Sequence, residues 1–231
     1  MAIIPFRATE RRRKRRPLDQ AQVVRAALAL LDEVGLDELT MRRLADRLGV
    51  KGASLYRHVR NKDELLALLG DEISGEIPFV RAGGSWQEQL TEMAWNVRRG
   101  LLAHRDAARV LANTPPVGPR RLKHIEAVLR TLRAAGLTDR DATRAAHHLN
   151  NFVTEFAADE ARFAAYAAAP GSSRRKILTE ARRHFKSLPV DEYPTLVALA
   201  DHLVDDRPDE AFQFGIDLCL RGLQPLSKRD R

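Results

Sequence analysis

The stretch 40–62, TMRRLADRLGVKGASLYRHVRNK, constrains the chain more than any other. It holds two short helical patterns separated by a glycine turn. Thr40 has the hydroxyl that accepts a hydrogen bond from an orphan N–H of an opening helical turn. Leu44, Ala45 and Leu48 recur at three- and four-residue spacing and mark one buried face. Gly49 supplies the positive φ that ends a helix in a tight turn. Val50 returns to the core, and a second helix is predicted over Ala53–His58, with Leu55 and Val59 pointing inward. Two helices joined by a turn this short form a helix-turn-helix, whose second helix fits the DNA major groove. The charge agrees: Arg42, Arg43, Arg47, Lys51, Arg57, Arg60 and Lys62 stand against Asp46 alone, a surplus of six. A three-helix core with a solvated basic face would explain the apolar spacing. It would not explain Tyr56, Arg57 and His58 lined up on one short exposed helix.

Charge elsewhere is concentrated in one block. Residues 7–16, RATERRRKRR, carry seven basic side chains against Glu10, a surplus of six out of the chain's net +8. A run of like charge without an apolar face cannot fold alone. Residues 1–17 therefore read as a disordered arm, in which Arg11, Arg12, Arg13, Lys14, Arg15 and Arg16 are placed to lie on phosphates or enter a minor groove. The lone Cys219 sits in an apolar helical pattern and reads as a core residue. No apolar run approaches the ~18 residues a membrane span needs, and a cytoplasmic protein with no membrane association is expected.

Beyond residue 17 the pattern is helical throughout, with glycine and proline as punctuation, so the expected fold is all-α. Asp19 is placed to cap the first helix, with Leu18 and Val23 at the spacing of a hydrophobic staple. Asn61–Glu64 and Ser85–Glu88 are box-like starts for two more helices. Arg81–Gly84 reads as a linker, which divides the chain into a head over 18–80 and a body over 85–224. Helices are predicted over Asp106–Leu111, Thr138–Ala169, Arg174–Phe185, Pro194–Leu203 and Asp209–Leu223. Phe212, Phe214, Leu218 and Leu223 are expected to form one wide apolar stripe.

The pieces LT-x-R-x-LA-x-x-LGV and LYRHVRNKDELL resemble the tetracycline-repressor (TetR) family, and SWQEQL, LLAHRDAARV and AFQFGIDLCLRGL extend the resemblance to roughly residues 18–223. It implies a helix-turn-helix head on a helical body that binds an effector and forms a homodimer. The long helix and last helix of each subunit would then make a four-helix bundle. On this basis Thr40, Arg42 and Lys62 are expected at phosphates or in positioning the head. Gly52, Ala53, Ser54, Tyr56, Arg57 and His58 are expected where base edges or backbone are read.

Tetracycline repressors hold a Mg²⁺–drug complex with two histidines and an acid from the partner chain. Gap-free alignment of the matching pieces puts Leu111 and Asn151 at the histidine positions and Asp159 at the acid. Leucine cannot ligate Mg²⁺ and asparagine is a weak neutral donor, so no metal and no cofactor is expected. The corresponding cavity would be lined by Met93, Val97, Leu111, Thr114, Pro116, Ile125 and Val128, with His147, Asn150 and Asn151 as polar groups. An apolar wall with few polar groups suits a small molecule. There is no P-loop, G-x-S-x-G, G-x-G-x-x-G or zinc-type histidine spacing, which argues against an enzyme. The expected function is a repressor released from a palindromic double-stranded operator by a small, largely apolar effector. The competing reading is an effector-independent, basic, architectural DNA-binding protein.

Overall fold

The structure, a computed structural model, describes residues 18–80, 83–204, 206–224 and 226. The basic arm, with Arg11, Arg12, Arg13, Lys14, Arg15 and Arg16, lies outside the described residues. Among these, twelve helices follow one another and no strand occurs, so the fold is all-α. No helix among them is long and apolar enough to cross a membrane.

The head begins with α1 (Gln20–Val34), α2 (Met41–Leu48) and α3 (Gly52–Leu55), and α4 (Lys62–Glu76) leads out of it. Local chemistry sets the starts. Asp19 and Gln22 form a reciprocal capping box on α1, and the Thr40 hydroxyl accepts from Arg43 N–H on α2. Gly49 takes the left-handed conformation (φ 64°, ψ 37°) that ends α2. Asn61 caps α4, but the Glu64 carboxylate accepts from the backbone N–H of Arg60 at 2.6 Å rather than from that of Asn61.

The second helix of the motif is shorter than predicted. Regular helix ends at Leu55, and Tyr56, Arg57 and His58 form a tight turn. Leu55 and Val59 must both enter the core, while Asn61, two residues on, must be extended (φ −159°) to cap α4. The chain tightens through His58 N–H to Leu55 C=O (2.9 Å) to satisfy both.

The body comprises α5 (Trp86–Ala103), α6 (Ala107–Ala112), α7 (Pro119–Ala134), α8 (Asp139–Ala167), α9 (Arg174–Lys186), α10 (Pro194–Ala198), α11 (Ala200–Leu203) and α12 (Pro208–Leu223). The segment predicted as one helix over Pro194–Leu203 breaks at Leu199 (φ −97°, ψ 6°), which lets Ala200 turn into the interior.

Two apolar cores hold the molecule. One joins α1–α4 to α6, to Leu101 of α5 and to Ala157 and Ala158 of α8, so the head shares its core with part of the body. The other joins α5, α7, α8 and α12. On α12 the expected single stripe splits into two faces. Phe212, Ile216 and Leu220 point into the second core, whereas Phe214 and Leu218 are exposed. Gly215 lets α12 approach α8 closely, since a Cβ there would strike the Phe152 ring.

Candidate nucleic-acid interface and ligand cavity

On the head, Gly52, Ala53, Tyr56 and Arg57 are exposed, and Ser54 and His58 are half-buried. The turn that carries them is pinned from behind, where Gln20 Nε2 donates to the His58 carbonyl at 3.0 Å. A Cβ on Gly52 would meet no atom within 4 Å, so this backbone is open to close approach. The surplus of positive charge read along the sequence is partly cancelled in space. Arg47 forms a two-pronged pair with Glu33 (2.6 and 2.8 Å), Arg43 pairs with Glu38, and Arg60 with Glu64. Arg42, Lys51 and Arg57 are exposed and have no ion-pair partner among the described residues. Lys62 is half-buried, and its ammonium reaches the Leu36 carbonyl at 3.4 Å, tying α4 to the loop after α1. Thr40 is exposed with its hydroxyl committed to the α2 cap.

Behind this face, His104, Arg105 and Asp106 clamp the head to the body. His104 Nδ1 lies 2.9 Å from Asp32 of α1 and Nε2 lies 2.8 Å from Glu76 of α4. Arg105 donates its backbone N–H to Asp32 and its side chain to the Glu33 carbonyl. Asp106, in the left-handed region at φ 59°, accepts from Leu36 N–H at 2.8 Å and, with Arg109, closes onto Asp37. Burial alone would lower the His104 pKa. Hydrogen bonds to the Glu76 and Asp32 carboxylates outweigh it, and the pKa is raised.

A cavity of about 360 Å³ opens between α4, α5, α7 and α8. Eight of the ten residues predicted for it are on its wall: Met93 and Val97 from α5, Leu111 from α6, Pro116, Ile125 and Val128 from and before α7, and His147 and Asn150 from α8. Two predicted residues are not. Thr114 is buried behind the wall, where its hydroxyl donates to Val110 C=O (2.7 Å) and accepts from Arg121 (3.0 Å). Asn151 is off the wall, because it lies one residue, and so about 100° of helix, beyond Asn150. Its amide nitrogen sits 3.0 Å from His147 Nε2. No group of three His, Cys, Asp or Glu side chains converges among the described residues.

Sequence reasoning missed the contribution of Ser74 on α4 and of Ile77 just after it, and two polar groups of α7, Arg121 and His124. The signal was present: Arg121 and His124 share the helical face of Ile125 and Val128 by spacing. Arg121 Nη1 donates to the Thr114 carbonyl (3.0 Å) and Nη2 to the Leu111 carbonyl (2.7 Å). Burial lowers its pKa against the raising effect of Asp71. His124 Nε2–H donates to the Ser74 carbonyl at 2.9 Å, and its ring stacks on Phe79 with centroids 4.2 Å apart. Burial lowers the His124 pKa against that bond, so the ring is neutral near pH 7. A wider groove of about 650 Å³ between α5 and α12 is rimmed by solvated charges such as Glu92, Arg99 and Asp217, and offers an apolar molecule little enclosure.

Residues 23–69 match the family profile described as "Bacterial regulatory proteins, tetR family", and residues 80–226 match "Tetracyclin repressor-like, C-terminal domain". The chain is 35% identical over 206 residues to the tetracycline repressor protein class A from transposon 1721 of Escherichia coli, covering 87% of this chain and 88% of that one. It is 38% identical over 149 residues to an HTH-type transcriptional regulator of Saccharopolyspora erythraea, covering 64% of this chain and 63% of that one. Among solved structures, the Streptomyces coelicolor TetR family protein ActR in complex with actinorhodin superposes with a TM-score of 0.83 at 35% identity, covering 93% of this chain and 99% of that chain.

Proposed function

The chain belongs to the tetR family of bacterial transcription regulators, and from that premise we propose that it is a homodimeric repressor whose operator affinity is lowered by a small, metal-free effector held in the cavity of α4, α5, α7 and α8. One observation carries this reading: α4 is shared. Its first residue, Lys62, bonds the loop after α1 inside the DNA-reading head, and Ser74 near its other end, with Ile77 that caps it, walls the cavity. The homologous repressors and the actinorhodin-bound neighbour support a ligand-responsive switch rather than an effector-independent architectural role. Leu111, on the apolar wall, supports a ligand that brings no metal.

On this reading Gly52, Ala53, Ser54, Tyr56, Arg57 and His58 face the groove of a palindromic operator, Arg42 and Lys62 serve the phosphates or the head's position, and the arm of Arg11–Arg16 adds phosphate contacts. Two heads must sit about one DNA turn apart, roughly 34–36 Å. An effector that fits only when α4 and α7 shift would favour a separation that misses the grooves. It moves the equilibrium only by its differential affinity, so a hundredfold preference supplies about 2.7 kcal/mol. By linkage, operator DNA weakens the effector by the same factor.

Val97→Trp fills the cavity from α5 and tests the reading. The variant is expected to bind operator as wild type does and to resist every compound that releases wild type, as read by fluorescence anisotropy of labelled operator. Release of the variant at the wild-type concentration would move the effector elsewhere.

A further inference from the structure

We infer that the cavity selects an organic anion: a carboxylate on a largely apolar, ring-sized body, with Arg121 as its counter-ion. This rests on the effector reading above and names the chemical class of that effector. Arg121 is the only formally charged side chain on the cavity wall among the described residues, and no carboxylate lies on that wall. Its guanidinium is held in place, but only by neutral acceptors: Thr114 C=O and Oγ1, each at 3.0 Å, and Leu111 C=O at 2.7 Å. The carboxylate with most electrostatic influence on it, Asp71, is committed elsewhere, accepting the backbone N–H groups of Arg120 (2.8 Å) and Arg121 (3.0 Å) at the start of α7.

Arg98, which is buried in the body while Arg121 is half-buried, shows how this fold treats a cation with a purely structural task. Arg98 is paired with Glu160 at 2.9 and 3.0 Å and with Asp209 at 2.7 Å, and it lies over the Trp95, Phe156 and Phe212 rings. Buried charges are as a rule paired in this way. Arg121 has no such partner. Capping the carbonyls at the end of α6 is a real stabilising role for it. Those three bonds use three of the five N–H donors of a guanidinium, and they leave the positive charge uncompensated beside an apolar wall. In that low-dielectric setting an incoming carboxylate gains more than it would in water. A planar two-oxygen acceptor matches the guanidinium fork, whereas a doubly charged phosphate would need cations that the wall lacks.

The test uses the full-length protein and matched probes, anthraquinone-2-carboxylate and its neutral counterpart anthraquinone-2-carboxamide. Their affinities are measured by quenching of tryptophan fluorescence and by thermal shift. The carboxylate is expected to bind about tenfold or more tightly than the amide, the gain typical of a charge-assisted over a neutral hydrogen bond. Arg121→Gln should erase that preference, and Arg121→Lys, which keeps the charge without the fork, should keep part of it. The wild-type comparison of acid with amide stands even if neither variant folds. Equal binding of acid and amide, or a preference that survives in Arg121→Gln, would overturn the inference and leave the effector reading intact. So would acid binding unchanged in Val97→Trp, which would put the probe outside the cavity. Failure of both probes to bind wild type would also overturn it, and the effector reading would then stand or fall on release of operator by other compounds.

Discussion

Tyr56 and Leu55 are neighbours with opposite duties. Leu55 is fully buried, and Tyr56 beside it is 52% exposed. Among the described residues nothing explains a large aromatic ring held out on a turn that is itself fastened to α1 through His58 and Gln20. Tyr56→Ala is therefore expected to shift stability by no more than about 1 kcal/mol, as for other surface substitutions. It should reduce operator affinity strongly. Leu55→Ala, by contrast, should cost about 2–5 kcal/mol of stability through cavity formation. Paired thermal melts and anisotropy titrations separate the two, and a Tyr56→Ala protein that melts early would return this residue to the core. Residues of this kind were legible in the sequence because burial and exposure alternate within a known motif. Asn151 falls off the wall through helix rotation, which a gap-free alignment fixes only to within one residue, and Thr114, in the loop after α6, is turned away by its bonds to Val110 and Arg121. Arg121 was overlooked because, beside Arg120, it reads as ordinary solvated charge.

Among the elements, the helix starts were the most readable, since Asp19, Thr40, Asn61, Ser85 and Thr138 each cap through a bond to a residue three positions ahead. The shortened α3 and the break at Leu199 were not, because each answers to a burial demand set by distant parts of the chain. The same holds for the clamp at His104, whose partners lie 72 and 28 residues away. Both ring nitrogens face carboxylates, so holding both bonds requires the imidazolium. The surrounding charges are Asp32 and Glu33 of α1, Glu72 and Glu76 of α4, Arg105, Asp106 and Arg109 of the α5–α6 corner, and Arg120 of α7, which pairs with Glu72. The folded-state pKa is raised, so protonation is favoured by folding. The stability this supplies is fully present below the unfolded value of about 6.5, and it is lost as pH rises through the higher folded pKa. Melting temperature followed from about pH 5 to 9 should thus fall more steeply in wild type than in His104→Gln, which cannot donate to both carboxylates. Parallel profiles would mean that His104 is not protonated in the folded clamp.

At the scale of the whole molecule, the two faces of α12 give the reason to expect a second subunit. Its inner face, Phe212, Ile216 and Leu220, is consumed by the chain's own core. Its outer face presents Phe214 and Leu218, 65% and 55% exposed and one helical turn apart, a pair that a solitary chain would have no reason to keep. The stripe read from the sequence merged these faces, because periodicity shows that residues are apolar without showing which neighbour covers them. A twofold interface uses each residue twice. Phe214→Glu then removes two buried rings and asks the contact to bury two carboxylates, a cost of about 3 kcal/mol or more, and hence at least a hundredfold in the dissociation constant. The fold of each protomer should survive, because Phe214 contributes little to either core. Sedimentation at micromolar concentration should find the variant monomeric with a wild-type circular dichroism spectrum, and operator affinity should collapse because one head alone reads one half-site. A Phe214→Glu protein that still sediments as a dimer would place the interface away from α12.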